Sequence, residues 1–245
     1  MSKRGDLRQG IARQPLARDA WWLALFTFKE ISLRTLLIWA TLSSGTATAE
    51  SASALVTVKE ALKAEKWDAA VEAGEKAVKE RPDSSEAHLW LGRAYREKTM
   101  KASLFSQMGW AKKCRTSFEK AAALDPKNAD ARVDLIQYYA YAPGIAGGGM
   151  DKAREQVKAL DGIDPVRGAQ MSGFVLMKEK KPAEAEAEYR RAVSLKPGDA
   201  SAHWRLGRIL ERAGKRDAAR ASYQEALRLD PALEGAKKDL ERLGG

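Results

Sequence analysis

The sequence predicts an all-α protein in which similar helical hairpins stack side by side, and three observations support this fold class. First, residues 187–197 and 221–231 match each other at a shift of 34 residues. Second, an aromatic residue, an alanine and a proline recur in a fixed order, as at Phe118, Ala121 and Pro126. Third, each proline ends a helical segment, because proline cannot continue an α-helix. A repeat of this length is typical of a helix-turn-helix unit.

The spacing of these residues resembles the tetratricopeptide repeat, a family whose unit has 34 residues. That family places Leu, Gly and Tyr on its first helix, and the chain has Leu91, Gly92 and Tyr95, then Leu206, Gly207 and Leu210. The second helix holds a small residue, an aromatic and an alanine, here Cys114, Phe118 and Ala121; Ala185, Tyr189 and Ala192; Ala219, Tyr223 and Ala226. Small residues let two helices approach and the aromatic fills the remaining space. The resemblance implies tetratricopeptide-type helix-turn-helix repeats stacked in a right-handed superhelix, an α-solenoid.

The units can be placed in order along residues 50–245. Five units begin near Ser51, Ser85, Ala129, Val166 and Ala200, and residues 234–243 form a capping first helix whose charged side chains suit a solvent-facing surface. Two units depart from the pattern, since Gly74 replaces the aromatic of the first unit and Ile136 replaces the glycine of the third. The interval from Pro165 to Pro197 is two residues short, and we expect the missing residues in the turn between the fourth unit's helices.

Residues 1–49 have the features of an export signal. A basic segment precedes an apolar one, and residues 36–42 have the length of a signal-peptide core. Ala47 and Ala49 supply the small-x-small pattern of a signal peptidase site, so we expect cleavage between Ala49 and Glu50. Lys29, Glu30 and Arg34 interrupt the apolar segment, which argues against a stable membrane anchor. The repeats are therefore expected in the periplasm; the alternative is an uncleaved segment that anchors them to the inner membrane.

Two insertions distinguish this chain from a regular repeat array. The second unit has about ten extra residues within 98–109, which include the apolar residues Met100, Leu104, Phe105 and Met108. If exposed, they would form a contact loop for a partner. In the alternative, both helices are longer, and Leu104, Phe105 and Met108 are packed between them. The third unit has five extra residues within 141–149, a glycine-rich turn that lacks the Lys and Ser/Thr of a phosphate-binding loop.

The sequence offers no catalytic, cofactor-binding or metal-binding pattern. His88 and His203 are the two histidines, and both occupy the fourth place of their units, where packing residues are usual. Cys114 is the single cysteine and occupies a small-residue packing place. No His-x-x-x-His or Cys-x-x-Cys spacing is present. The net charge is +10, but there is no dense basic stripe with stacking aromatics, so we expect neither enzymatic activity nor nucleic-acid binding.

The first helices of such a stack line a concave face, and in the family the fifth, ninth and twelfth places of each unit face this groove. The candidate groove residues are Leu89, Arg93, Arg96, Val133, Gln137, Gln170, Phe174, Met177, Trp204 and Arg208. This mixed apolar and basic set predicts a protein or peptide partner with acidic and apolar side chains. The set does not match the family's clamp for a C-terminal carboxylate, which places Lys fifth and Asn ninth.

The sequence thus predicts a protein-binding scaffold or adaptor in the cell envelope. A structural accessory subunit of an envelope assembly or secretion machine is the alternative. An enzyme or small-molecule carrier that uses the inserted segments is a third possibility, and it would require a pocket with converging titratable groups between those segments.

Overall fold

The computed structural model describes residues 54–244, so the predicted export signal and its cleavage site lie outside the described residues. This part of the chain contains eleven α-helices and one short 3-10 helix, and it has no strand. The α-helices are α1 (residues 54–63), α2 (Trp67–Glu80), α3 (Ser85–Lys101), α4 (Leu104–Leu124), α5 (Ala129–Tyr141), α6 (Met150–Asp161), α7 (Pro165–Lys178), α8 (Pro182–Leu195), α9 (Ala200–Arg212), α10 (Arg216–Leu229) and α11 (Glu234–Gly244). None of these helices is long and apolar enough to cross a membrane.

Consecutive helices pack as hairpins, which we number unit 1 (α1 and α2) to unit 5 (α9 and α10), with α11 against unit 5. In unit 1, Ala61 of α1 belongs to the same buried apolar cluster as Ala70 and Val71 of α2. This confirms the predicted all-α stack of helical hairpins. Side chains at the linkers start the first helices: Ser84, Asn128, Asp164 and Asp199 each accept a hydrogen bond from a backbone N–H in the first turn. Such caps satisfy backbone donors that have no partner inside the helix.

The pairing of glycine with an aromatic residue explains the close approach of the two helices in units 2 and 5. A Cβ on Gly92 would lie 2.5 Å from the Phe118 ring, and one on Gly207 would lie 2.5 Å from the Tyr223 ring. Any larger residue would displace the ring, so the packing requires glycine.

Units 1 and 3 use the reverse arrangement. Val58 and Ile136 occupy the glycine place and are fully buried, while Gly74 and Val157 occupy the aromatic place. In both units a larger residue on the first helix therefore accompanies the loss of the aromatic ring on the second helix.

The predicted shortening of the turn in unit 4 is wrong. The turns at residues 179–181 and 213–215 both have three residues, so units 4 and 5 have the same turn length. Pro165 is instead the first residue of α7, with Asp164 as its cap. Proline is favoured at this position because the first helical N–H has no partner within the helix. The linker before unit 4 therefore contains no proline, whereas the linkers that follow units 1, 2, 4 and 5 each contain one.

The two insertions take different forms. The first lengthens both helices of unit 2, to 17 residues in α3 and 21 in α4, against 13 and 14 residues in unit 5. The second forms a 3-10 turn at Gly144–Ala146, followed by Gly147 with a φ of 84°, a value that glycine adopts without strain. The alternative with longer helices is thus correct for the first insertion. The packing expected of it is wrong, because Phe105 is 100% exposed and Met108 is 41% exposed.

The capping helix α11 faces solvent only in part. Lys238 and Glu241 are exposed, but Asp239 accepts a hydrogen bond from Trp204 Nε1 at 2.8 Å. Arg242 pairs with Asp239 and with Glu211 of α9. The helix is therefore fastened to unit 5 by polar contacts as well as by the buried Ala236 and Leu243.

Candidate protein-binding surface

The structure divides the predicted groove residues into packing residues and surface residues. Leu89 is buried in the core at 4% exposure, and Val133 packs against the same core. Gln170 Nε2 donates to the capping carboxylate of Asp199 at 3.0 Å, and Trp204 is bonded to Asp239. These four side chains hold neighbouring units together, so they are less available to a partner than the sequence implied.

The two arginines of unit 2 are already paired within the protein. Arg93 Nε lies 2.6 Å from Asp134 Oδ2, and Arg96 Nη1 lies 3.0 Å from Asp134 Oδ1. The Asp134 side chain is only 6% exposed, so its carboxylate is enclosed by the two guanidinium groups. Arg93 and Arg96 therefore act first as an ion-pair network between units 2 and 3, and their attraction for an acidic partner is reduced.

A second carboxylate extends this network towards unit 4. Asp130 lies 2.7 Å from Arg167 Nη2 and 3.5 Å from Arg93 Nη2. Partial burial acts to raise the pKa of Asp130, but the Arg167 and Arg93 guanidinium groups outweigh it and hold the pKa below its usual value. Asp130 is consequently ionised at neutral pH and compensates the positive charge at this end of the face.

A cavity of about 360 Å³ at units 4 and 5, which we call the basic pocket, has a different balance of charge. Its lining contains four cations and no carboxylate, and consists of Tyr141, Phe174, Met177, Lys178, Tyr189, Arg205, Arg208, Ile209 and Arg212. Among the described residues no carboxylate lies within ion-pair distance of Lys178, Arg205 or Arg212, and Arg208 has only a contact of 3.9 Å with Asp239. The pocket thus has a positive charge that the described residues do not neutralise.

Aromatic rings line the basic pocket together with its cations. Lys178 Nζ lies 3.7 Å from the centre of the Tyr141 ring, a cation–π contact that holds the ammonium group without a carboxylate from residues 54–244. Arg205 Nε is buried without a hydrogen-bond partner among the described residues, and buried donors normally have one. Burial raises the pKa of Tyr189, and the Arg205, Arg208 and Arg212 guanidinium groups oppose the rise. The three arginines therefore converge near one phenol.

The two insertions meet and form a second, larger cavity of about 620 Å³, which we call the insertion groove. Its lining is mainly apolar and consists of Arg96, Thr99, Met100, Gln107, Met108, Ala111, Cys114, Phe118, Asp134, Gln137, Tyr138, Tyr141, Ala142, Pro143 and Ala146. No sequence pattern indicates that residues 98–109 and 141–149 lie together. Tyr141 lines both this groove and the basic pocket, so the two cavities share a wall.

The titratable groups of the insertion groove do not form a catalytic arrangement. Burial raises the pKa of the Cys114 thiol to about 12, which makes it a poor nucleophile at neutral pH. Burial also raises the pKa of Tyr138, whose hydroxyl donates to the Ala146 carbonyl at 2.8 Å. Arg96 and Asp134 pair with each other. Within residues 54–244, no group of His, Cys, Asp or Glu is placed to hold a metal ion.

Both histidines contact the linker that precedes their helix. His88 Nε2 lies 2.9 Å from the Pro82 carbonyl, and His203 Nε2 lies 2.8 Å from the Pro197 carbonyl. The same contact in two units gives these residues a structural role at the helix start, outside both cavities.

The family models agree with this architecture. Residues 55–107 and 175–234 match one tetratricopeptide repeat model, and residues 98–128 match another, so the matches together cover more than half of the chain. The chain belongs to the tetratricopeptide repeat family. The interval from 129 to 174, which lies between the matches, includes unit 3, where Ile136 replaces glycine and the second insertion occurs. Tetratricopeptide repeat proteins are generally noncatalytic scaffolds that bind proteins or peptides.

Solved structures share the fold of this tetratricopeptide repeat protein at low sequence identity. A thermophilic tetratricopeptide repeat protein of Thermus thermophilus is 20% identical, with a TM-score of 0.62, over 79% of this chain and 98% of that chain. The pilF protein of Pseudomonas aeruginosa is 16% identical, with a TM-score of 0.58, over 81% of this chain and 90% of that chain. No curated protein matches the chain. These likenesses show the fold alone.

The sequence reasoning missed the cations that matter most for the basic pocket. Lys178, Arg205 and Arg212 lie at places six and thirteen of their units, which were not included among the groove places. The spacing of the arginines could have indicated this surface. Arg205, Arg208 and Arg212 are separated by three and four residues and therefore share one face of α9.

Proposed function

We propose that this protein is a scaffold of the cell envelope that binds an acidic and apolar segment of another protein at units 4 and 5. The observation that carries the proposal is the basic pocket, where four cations face a cavity and three of them lack a carboxylate neighbour among the described residues. An acidic ligand would supply the missing charge, since carboxylates form strong, directional hydrogen bonds with guanidinium groups.

The mixture of side chains in the basic pocket favours a polypeptide over a simple anion. Phe174, Met177 and Ile209 lie among the cations, so a ligand must offer apolar surface next to its carboxylates. A protein segment meets both requirements. The apolar contacts supply binding energy, while the charges supply orientation and speed of association.

Photo-crosslinking in intact cells tests the binding site. A photoreactive residue at Met177 should capture a discrete protein, which mass spectrometry then identifies. Combining Lys178→Gln with Arg212→Gln should abolish this product because two of the unpaired cations are lost. The matched control combines Lys120→Gln with Arg216→Gln, which removes the same charge from exposed positions on α4 and α10. Equal products from the two double variants would exclude the basic pocket as the binding site.

The envelope location rests on residues 1–49 and has its own test. The sequence favours export with cleavage before Glu50. We expect a fusion to a reporter that is active only outside the cytoplasm to be active, and N-terminal sequencing to begin at Glu50. An active fusion that keeps its N-terminus would favour the membrane-anchored alternative, and an inactive fusion would refute export.

A further inference from the structure

The insertion groove has walls that are held in place by hydrogen bonds. The second insertion is attached to α5, because Tyr138 donates to the Ala146 carbonyl at 2.8 Å and the Gly149 N–H donates to the Tyr139 carbonyl at 2.9 Å. The Arg115 side chain of α4 lies directly against Gly147 and leaves no room for a Cβ there. The groove is therefore formed before any ligand arrives, which reduces the entropy cost of binding.

Exposed apolar side chains concentrate around this groove. Seven large hydrophobic residues are exposed in the described part of the chain, and five of them belong to the insertions: Met100, Phe105, Met108, Tyr141 and Ile145. A cluster of this kind is typical of a protein contact surface. Met100 and Met108 are suited to such a role because their flexible thioethers adapt to apolar side chains of different shape.

The apolar groove continues into the basic pocket through a single aromatic pair. Tyr141 lines both cavities, and its ring lies 5.6 Å from that of Phe174, which lines the basic pocket. Lys178 contacts both rings. A ligand that crosses this pair would meet apolar surface on the side of units 2 and 3 and uncompensated positive charge on the side of units 4 and 5.

We infer that the insertion groove receives a large apolar side chain from the same partner segment whose acidic residues bind the basic pocket. This inference rests on the proposed function and adds a second recognition element to it. A volume of about 620 Å³ lies within the range of ligand sites and accommodates one or two side chains of the size of Leu, Phe or Trp. The occupant is thus an amphipathic segment with an apolar anchor beside a run of Asp or Glu.

A second copy of this chain does not fit the same surface. A symmetric dimer brings identical patches together, so Lys178, Arg205 and Arg212 of both copies would meet with no described carboxylate between them. Like charges placed across an interface oppose association. The charge of the basic pocket therefore favours a different, acidic protein.

Selection from a random peptide library tests the inference without knowledge of the natural partner. Peptides displayed on phage are selected on the wild-type protein, on the groove variant that combines Met100→Gln with Met108→Gln, and on the control Val56→Gln. Both methionines are exposed groove residues, and Val56 is 52% exposed on α1, so all three changes are expected to preserve the fold. The uncharged replacement leaves the charge of the surface unchanged.

Wild type and the Val56 control should both enrich peptides with a large apolar residue next to acidic residues. The groove variant should retain the acidic preference and lose the apolar one. Replacing the apolar anchor of a selected peptide by Ala should weaken binding to wild type on the order of 10- to 100-fold and to the groove variant only about threefold. Two results would overturn this inference but leave the proposed function intact. In the first, the wild-type protein enriches acidic peptides that have no apolar anchor. In the second, the groove variant enriches the same motif as the wild-type protein. No acidic enrichment from any protein would overturn the proposed function as well.

Discussion

The two ends of the candidate surface have similar sequences but different electrostatics. Unit 2 and unit 5 both place arginines on the first helix, and the sequence treats them alike. At unit 2, the buried Asp134 of the following unit pairs with both Arg93 and Arg96, and Asp130 of the same unit also pairs with Arg93. At unit 5, the following helix α11 offers Asp239, which accepts the Trp204 N–H and lies 3.9 Å from Arg208. The comparison shows that arginines at equivalent places differ in whether the next helix supplies them with a carboxylate.

The largest expected effect concerns Asp134. Replacing it by Ala would leave Arg93 and Arg96 without their shared carboxylate, and the loss of one partner from such a partly buried network costs about 1–3 kcal/mol. We expect urea unfolding to show a decrease of this size. Asp130→Ala is the matched control, since that side chain is 48% exposed, and it should cost less than about 1 kcal/mol. Equal losses would show that burial does not distinguish the two carboxylates.

The second prediction compares binding at the two ends. With a selected acidic peptide and fluorescence anisotropy, combining Lys178→Gln with Arg212→Gln should weaken binding about 10- to 100-fold, because each change removes an uncompensated cation. Arg93→Gln should weaken it less than about threefold, because Asp134 already occupies that guanidinium. If both variants lose a similar amount of peptide affinity, the whole face binds the peptide, and the proposed difference between unit 2 and unit 5 is wrong.

Salt provides a third and smaller effect. Raising the ionic strength from about 0.05 M to about 0.5 M shortens the screening length to a few ångströms. The affinity of the wild-type protein for the acidic peptide should fall about tenfold, and that of the doubly neutralised variant should fall less than about threefold. If the two proteins show the same salt dependence, the attraction does not arise from Lys178 and Arg212.

The smallest effect concerns Asp239 and involves pH. Burial acts to raise its pKa, but the hydrogen bonds from Arg242 and Trp204 outweigh this and hold the pKa below its usual value. A carboxyl group with a lowered folded-state pKa adds stability above its unfolded pKa of about 4, and this stability is lost as the pH falls through the lower folded value. Asp239→Asn should therefore reduce the loss of stability between pH 6 and pH 3, by less than about 1 kcal/mol. The same change should strengthen acidic-peptide binding slightly, because Arg208 loses its carboxylate neighbour.

Much of the fold could be predicted because the repeat is a local property. The glycine and aromatic residues that meet within one unit, such as Gly207 and Tyr223, lie less than one repeat apart in the sequence. The place of Pro165 could not be predicted because proline is favourable both in a linker and at the first position of a helix, and the residue type alone does not separate these cases. For the candidate site, Phe174, Met177 and Arg208 were predicted and do line the basic pocket, whereas Lys178, Arg205 and Arg212 were missed.

The amino-acid sequence by itself determined the helical hairpins and the starts of the first helices of units 2, 3 and 5, because helix propensity, capping and short-range packing act within one unit. Only the tertiary structure decided which charges remain unpaired and that the two insertions share a groove. Asp134 pairs with Arg93 although the two residues are 41 positions apart in the sequence, and Met108 lines the same cavity as Pro143, which belongs to a different unit. Such contacts between units depend on the rotation and spacing of neighbouring hairpins, so they arise only when the units are stacked.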